Sequence, residues 1–276
     1  MFSGSPQGVQ IMAGDSKTGF FGETADQISR RVDQDMTRGL GKSAFSPRQK
    51  LALACRILAD EGHARTLAGQ ITVRGEADGT FWSTDFGSGF AEATASNLLC
   101  VDSEMRTLEG EGMANPALRF HLWIYRARPE VRCIVHTHPP YCSALSMTGE
   151  ALRVAHMDAM MFYEDCARLD EWPGVPIANE EGRLISEALG QNRSILLAHH
   201  GLLTTGRTPE EAVYLAVLLE QAAQLHVLAR SVGEIRTVQP ELAHQAHDFL
   251  LKDSIIGATF NVWARRTARK YPEALD

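Results

Sequence analysis

From Ser46 onward the apolar positions recur with two different periods, and the switches between them mark out the elements. Ser46-Pro47-Arg48-Gln49 carries an N-cap serine, a proline at the first helical position and a glutamine at N3. Leu51, Ala54, Cys55 and Leu58 then fall on one face, and Gly62 stops the helix. Gly69 to Arg74 and Thr80 to Thr84 predict a strand pair joined by the turn Gly75 to Gly79. Asn115-Pro116 caps a helix with Phe120, Trp123, Ile124 and Ala127 as its apolar stripe, ended by Pro129. A short apolar run, Cys133-Ile134-Val135, leads into His136-Thr137-His138 and stops at Pro139-Pro140. Tyr141 to Met147 predicts a helix, and Asn179-Glu180-Glu181-Gly182 opens the next. A second apolar run, Ile195 to Ala198, reads as one buried strand ending in His199-His200-Gly201. Thr208-Pro209-Glu210-Glu211 is a further capping box, with Ala212, Leu215, Ala216, Leu219, Ala222 and Ala223 facing inward behind it. Pro240 begins more helix toward Arg266.

Residues 1 to about 45 break this pattern. They are rich in Gly, Ser, Asp, Gln and Thr, and predict a mobile arm with a short helix around Ala25 to Met36. The expected organisation is an arm over 1–45 and one α/β domain over 46–276 with a C-terminal helical tail.

Composition narrows the function. The chain has 276 residues, 44% of them hydrophobic, which suits one domain with a full core. A formal charge of −7 argues against nucleic acid as a partner. The basic run Arg265-Arg266 to Arg269-Lys270 reads as a solvated helix end. Gly39-Leu40-Gly41-Lys42-Ser43 imitates a phosphate-binding loop, but Met36 stands where its first glycine belongs. Five scattered cysteines without Cys-x-x-Cys spacing predict reduced thiols and a cytoplasmic protein. No secretory leader and no membrane span are expected.

The chemistry points to a metal. On a strand, His136 and His138 at i and i+2 project to the same face. Neutral imidazole binds zinc and also iron, nickel and copper, and a third histidine from the pair His199-His200 would leave a coordination position open. The stretches His156-Met157-Asp158 and Met160-Met161-Phe162-Tyr163 suit an aromatic or aliphatic small-molecule substrate.

Phe120-His121-Leu122-Trp123-Ile124-Tyr125-Arg126-Ala127-Arg128-Pro129, leading into His136-Thr137-His138, together with His199-His200-Gly201-Leu202, resembles the class II aldolase/adducin family over roughly Ser46 to Arg230. The resemblance implies an α/β/α sandwich around a mostly antiparallel central sheet, and a homotetramer with active sites at subunit boundaries. It also implies a divalent metal, Zn or Fe(II), on His136, His138 and His200. In the sugar-phosphate aldolases of the family, the stretches matching Gly69-Gln70 and the loop from Ser83 to Gly89 hold the substrate phosphate. Here that loop brings Asp85 and Phe86, and a carboxylate repels a phosphate dianion. Gly69, Gln70, Asp85 and Phe86 are therefore the expected contacts of a substrate without phosphate.

The family acid/base glutamate falls on Ala117, which moves no proton. Glu111 and Glu109 upstream, and His121 one helical turn on, are the candidates to replace it. The family's catalytic tyrosine falls on Met157, with Tyr163 nearby. Three functions follow from the resemblance. The first is a metal-dependent lyase cleaving a C–C bond, by aldol cleavage or decarboxylation, in a 2-oxo or 2-hydroxy acid. The second is a non-haem Fe(II) oxygenase that oxidatively decarboxylates an aryl 2-oxo or 2-hydroxy acid, as in aldolase-like relatives from aminocoumarin pathways. The third is a non-catalytic adducin-like module.

Overall fold

The computed structural model describes residues 22, 24–40, 43–64, 66–174 and 179–276, and the chain divides into units 1–41 and 42–276. In the first unit, α1 (Ala25–Gly39) starts at a reciprocal capping box between Thr24 and Gln27, matching the helix expected there. The expected mobile arm up to Phe21, with Glu23, Gly41 and Lys42, lies outside the described residues.

The second unit is built on one eight-stranded sheet. In chain order its elements are α2 (Pro47–Asp60), β1 (Gln70–Arg74), β2 (Thr80–Thr84), β3 (Leu98–Asp102), β4 (Thr107–Glu109), α3 (Arg119–Ala127), β5 (Cys133–Thr137), α4 (Pro140–Ser146), β6 (Cys166–Leu169), α5 (Asn179–Leu189), β7 (Ser194–Leu197), β8 (Gly201–Gly206), α6 (Pro209–Val232), α7 (Pro240–Leu250) and α8 (Asp253–Lys270). The strand order is β4-β3-β2-β1-β5-β8-β7-β6, and β6–β7 is the single parallel pair among them.

Alternation across the central strands explains the two layers of helices. Cys133 and Val135 face α2, α4, α6 and α8, whereas Ile134 faces α3 and α5. Leu196 and Leu202 take the first side, and Ile195, Leu197 and Leu203 the second. A strand covered on both faces needs apolar residues at consecutive positions, which is why these strands read as continuous runs. The result is the expected α/β/α sandwich on a mostly antiparallel sheet.

Local signals behave as the sequence suggests, with two corrections. Ser46 and Gln49 form a full capping box, and the β1–β2 hairpin pairs Val73 with Trp82. At Thr208 only half the box forms. Thr208 accepts from the Glu211 N–H, but the Glu211 carboxylate accepts from the Arg207 N–H and pairs with Arg193 and Arg207 instead. The run ending in His199-His200 is also not one strand. β7 stops at Leu197, Ala198–His200 turns the chain, and β8 returns antiparallel from Gly201.

By length and mean hydropathy, 1.4 over its most apolar window, α6 is long and apolar enough to cross a membrane, yet 61% of that window is buried in the fold. The C-terminal helix is likewise part of the core: Phe260 on α8 is fully buried against the layer that holds α2 and α6. Phe260→Ala should cost about 3–5 kcal/mol. Chemical denaturation would show the loss as a lowered midpoint of the whole domain's transition, not as fraying of a separate tail.

Candidate metal centre

His136 sits within β5, and His138 lies one residue past its end, so both imidazoles leave the sheet on the face covered by α3. The third histidine arrives through the β7–β8 turn. His199 adopts a left-handed conformation with φ 53° and remains exposed, and that reversal sets His200 beside the end of β5. Gly201 allows the close approach. A Cβ there would stand 2.4 Å from the Thr137 carbonyl oxygen and 2.8 Å from Cδ2 of His138.

The ligand-capable atoms of His136, His138 and His200 lie within 4.8 Å of one another, with 3.0 Å between Nε2 of His136 and Nε2 of His138. Nδ1 of His136 donates to the Leu202 carbonyl at 2.8 Å, which leaves its Nε2 as a lone pair aimed at the cluster. Burial pushes the pKa of His136 well below its ordinary value, and the neighbouring imidazoles push it further. Burial also lowers His138, and burial plus His138 brings His200 down to about 4. At neutral pH all three are uncharged nitrogen donors, the form that binds metal. Among the described residues the group contains no carboxylate. Three neutral nitrogens in this spacing fit a borderline divalent ion such as Zn or Fe(II).

The cluster is braced from behind. Thr137, between the two β5 ligands, exchanges a 2.8 Å hydrogen bond with Nδ1 of the buried His63. Phe120 meets the His136 ring edge-on at 5.1 Å. The buried Glu220 accepts the N–H groups of Tyr141 at 2.8 Å and Cys142 at 2.7 Å, pinning the first turn of α4 just after His138.

A small pocket opens beside the cluster, and Gly69, Gln70, Ser83, Asp85, Phe86 and Asn115 all line it. Gln70 is the β1 residue directly opposite His136. The four residues expected to contact substrate are thus brought together next to the metal candidates. The Asp85 carboxylate is already engaged, however. One oxygen accepts from the Gly87 N–H at 2.9 Å and from Ser88, and the other accepts from the Met113 N–H at 2.9 Å, closing the loop. Asn115, read in the sequence only as a cap, is a pocket wall as well; nothing in the pattern distinguishes those two duties.

The expected catalytic residues are dispersed. His121 is fully buried on the metal face of the sheet, with Nδ1 2.8 Å from Oγ1 of Thr72. Glu111 is exposed on the loop after the edge strand β4, and its neighbour Glu109 pairs with Arg48. Tyr163 lies at the opposite edge, ahead of β6, with its ring against His244. Within one chain neither Glu111 nor Tyr163 joins the histidine cluster.

Replacing both His136 and His138 by Ala should abolish stoichiometric zinc or iron binding, read by metal analysis after dialysis. Gly201→Ala, whose Cβ would press on the Thr137 carbonyl and the His138 ring, should weaken zinc roughly 10-fold or more in chelator competition. Unchanged affinity in Gly201→Ala would show that the close approach is not needed.

Comparison with known proteins agrees with this geometry. Residues 49–227 match the model of the Class II Aldolase and Adducin N-terminal domain. A protein named Decarboxylase NovR from Streptomyces niveus is 34% identical over 180 residues, 64% of this chain and 67% of the relative. A 4-hydroxy-3-prenylphenylpyruvate oxygenase/4-hydroxy-3-prenylbenzoate synthase from Streptomyces roseochromogenus subsp. oscitans is 33% identical over 180 residues, 64% of this chain and 65% of that one. The solved L-fuculose 1-phosphate aldolase from Glaciozyma antarctica PI12 superposes with a TM-score of 0.77 at 30% identity, covering 83% of this chain and 92% of its own. With its histidine cluster, its sandwich and a family match over most of its length, the chain belongs to the class II aldolase and adducin N-terminal domain family.

Proposed function

We propose that this protein is a metal-dependent enzyme that cleaves a C–C bond in a non-phosphorylated 2-oxo or 2-hydroxy acid. The observation that carries this reading is the set of three neutral histidines, without a carboxylate among the described residues of the group, beside a polar pocket. His136, His138 and His200 would hold the ion. When bound, a divalent metal supplies a Lewis acid that polarises the substrate carbonyl and stabilises the developing enolate. Gln70 and Asn115 offer neutral polar edges to the substrate, and the negative charge of Asp85 at the pocket wall disfavours a phosphate dianion.

Within this class, decarboxylation fits the chain better than aldol cleavage. Ala117 holds its N–H on the Asn115 side chain and offers no proton-transfer group. Loss of CO₂ from a carboxylate β to the metal-bound carbonyl leaves the enolate without a base, whereas retro-aldol cleavage needs one beside the metal. A second reading, oxidative decarboxylation of an aryl 2-oxo acid, is favoured by the printed name of the oxygenase relative and would require iron in the cluster. The intact ligand set weighs against a non-catalytic adducin-like module.

A homotetramer with sites at subunit boundaries would give Glu111 and Tyr163, stranded at opposite sides of the sheet, a neighbour's site to serve. The five unpaired cysteines suit a reducing, cytoplasmic setting.

The deciding experiment measures oxygen uptake and CO₂ release by Zn(II)- and Fe(II)-loaded protein against aryl and alkyl 2-oxo and 2-hydroxy acids, including 2-oxo acids with a second carboxylate β to the ketone. CO₂ release without oxygen uptake, lost in the His136→Ala/His138→Ala variant, is the expected result. Oxygen uptake coupled to substrate loss would replace it with the oxygenase reading. Turnover that survives in the double variant would remove the cluster from the reaction.

A further inference from the structure

A second cavity, of about 210 Å³, lies away from the histidine cluster. The strands β5, β7 and β6 all run in one direction, because β8 is antiparallel to both β5 and β7, and β6 is parallel to β7. The histidines gather where β5 ends. This cavity opens where β6 begins, on the last strand of the sheet and at its opposite end. It shares no lining residue with the pocket beside the histidines.

Three segments of the chain build it. Leu152 and Val154, from the stretch after α4, pack on the core, as do Phe162 and Cys166 around the start of β6. Ile235, half-buried, comes from the linker between α6 and α7. Burial pushes the Cys166 thiol up to about 12, so it stays neutral and adds to an apolar floor. The walls are tied to helices. The Arg153 N–H donates to Nδ1 of the buried His226 on α6 at 3.0 Å, and the Tyr163 ring meets His244 of α7 edge-on at 5.0 Å. An apolar floor between anchored walls is the usual form of a site for a small molecule.

The charges on the lining say which kind of molecule. Arg153 and Arg236 are exposed on two different segments of the wall, and neither guanidinium has a carboxylate partner among the described residues. The third charged residue is Glu164, whose carboxylate lies 3.5 Å from Nε2 of His244. Glu164 also holds a left-handed conformation, φ 55°, that glycine would adopt at less cost. Two guanidinium groups against one carboxylate leave a single net positive charge, which one anionic group would match. Guanidinium is the side chain best shaped to hold a carboxylate.

We propose that this cavity is an effector site for a small organic monoanion, a carboxylate with an apolar or aromatic body. The carboxylate lies between Arg153 and Arg236, and the body rests on Leu152, Val154, Phe162 and Ile235. A cavity of 210 Å³ is smaller than the ~300–1,000 Å³ of sites for drug-sized ligands, which limits the body to a single ring or a short chain. The site is independent of the metal and of the function proposed above.

The test uses the full-length Zn(II)-loaded protein with labelled Ile, Leu and Val methyl groups, and two probes of one shape, phenylacetate and neutral phenylacetamide. Methyl NMR should show phenylacetate shifting Leu152, Val154 and Ile235 saturably, with a Kd of about 1 mM or below. Phenylacetamide should bind roughly 10-fold more weakly or not at all. Changing both arginines, Arg153→Gln with Arg236→Gln, should cost phenylacetate roughly 10-fold or more at an unchanged thermal midpoint, since both side chains are exposed. Either change alone should give an intermediate loss, which keeps the test decisive if the double variant fails to fold. The His136→Ala/His138→Ala variant should show the same shifts and the same Kd as wild type. No saturable shift of these methyls, equal binding of the amide, or undiminished binding without the arginines would each overturn the inference. So would loss of binding in the histidine variant, which would make the anion a ligand of the metal centre.

Discussion

The pairing of β5 with β8 is the constraint on which the centre depends. Its register runs from Cys133 opposite Gly206 to Thr137 opposite Leu202, and it places the turn that carries His200 against the strand end that carries His136 and His138. The contact is close enough that Gly201 tolerates no side chain, and Leu202 supplies the carbonyl that sets the His136 tautomer. A slip of one residue would turn His136 to the opposite face of the sheet and separate it from both of these partners. Such a slip is opposed by the cores on both faces, because β5 alternates Cys133 and Val135 into one and Ile134 into the other.

The same burial sets the electrostatics. Three imidazoles this close in a covered site are held neutral, first by loss of solvation and then by one another. They need an external frame, since no ion pair among the described residues fixes them. Glu220 provides part of it, its buried carboxylate compensated by two backbone N–H groups at the start of α4. His63 holds Thr137, and Thr72 holds His121. Most polar side chains around the cluster are thus engaged in framing it, while Nε2 of His121 and Oε1 of Gln70 have no partner among the described residues.

What the sequence disclosed follows the range of the interactions concerned. The helix near Ala25, the capping box at Ser46, the inward face of α6 and the β5 histidines were legible because each is set by residues within a turn or two. The division between β7 and β8 was hidden, since strands covered on both faces lose their alternation and the reversal depends on a left-handed His199 where a glycine would have been the signal. The strands β3 and β4 were not read at all. Glu211 departed from its capping role because Arg193 and Arg207 draw its carboxylate, and Asp85 is occupied by Met113, 28 residues away. These are tertiary contacts that no local pattern encodes. The candidate site was therefore legible as a set of residue types, while their availability was not: Asp85 is engaged by its own loop and by Met113, and Nδ1 of His121 is engaged by Thr72 on β1.

Where the family resemblance places a carboxylate this chain has Ala117, and the difference bears on electrostatics as well as catalysis. Neutral imidazoles add no charge, so a divalent ion on His136, His138 and His200 keeps its full positive charge toward whatever enters the open positions. A glutamate beside it would neutralise part of that charge and compete for the same positions. Without one, the centre is suited to an anion that chelates through two oxygens, which is what a 2-oxo or 2-hydroxy carboxylate presents. Such a ligand brings its own negative charge into a site where Asp85 already has its hydrogen bonds met and adds a nearby negative charge. A phosphate dianion would bring more charge to a wall that repels it. The charge balance and the missing base therefore argue in the same direction, toward a carboxylate substrate from which the carbanion is released without a proton being taken.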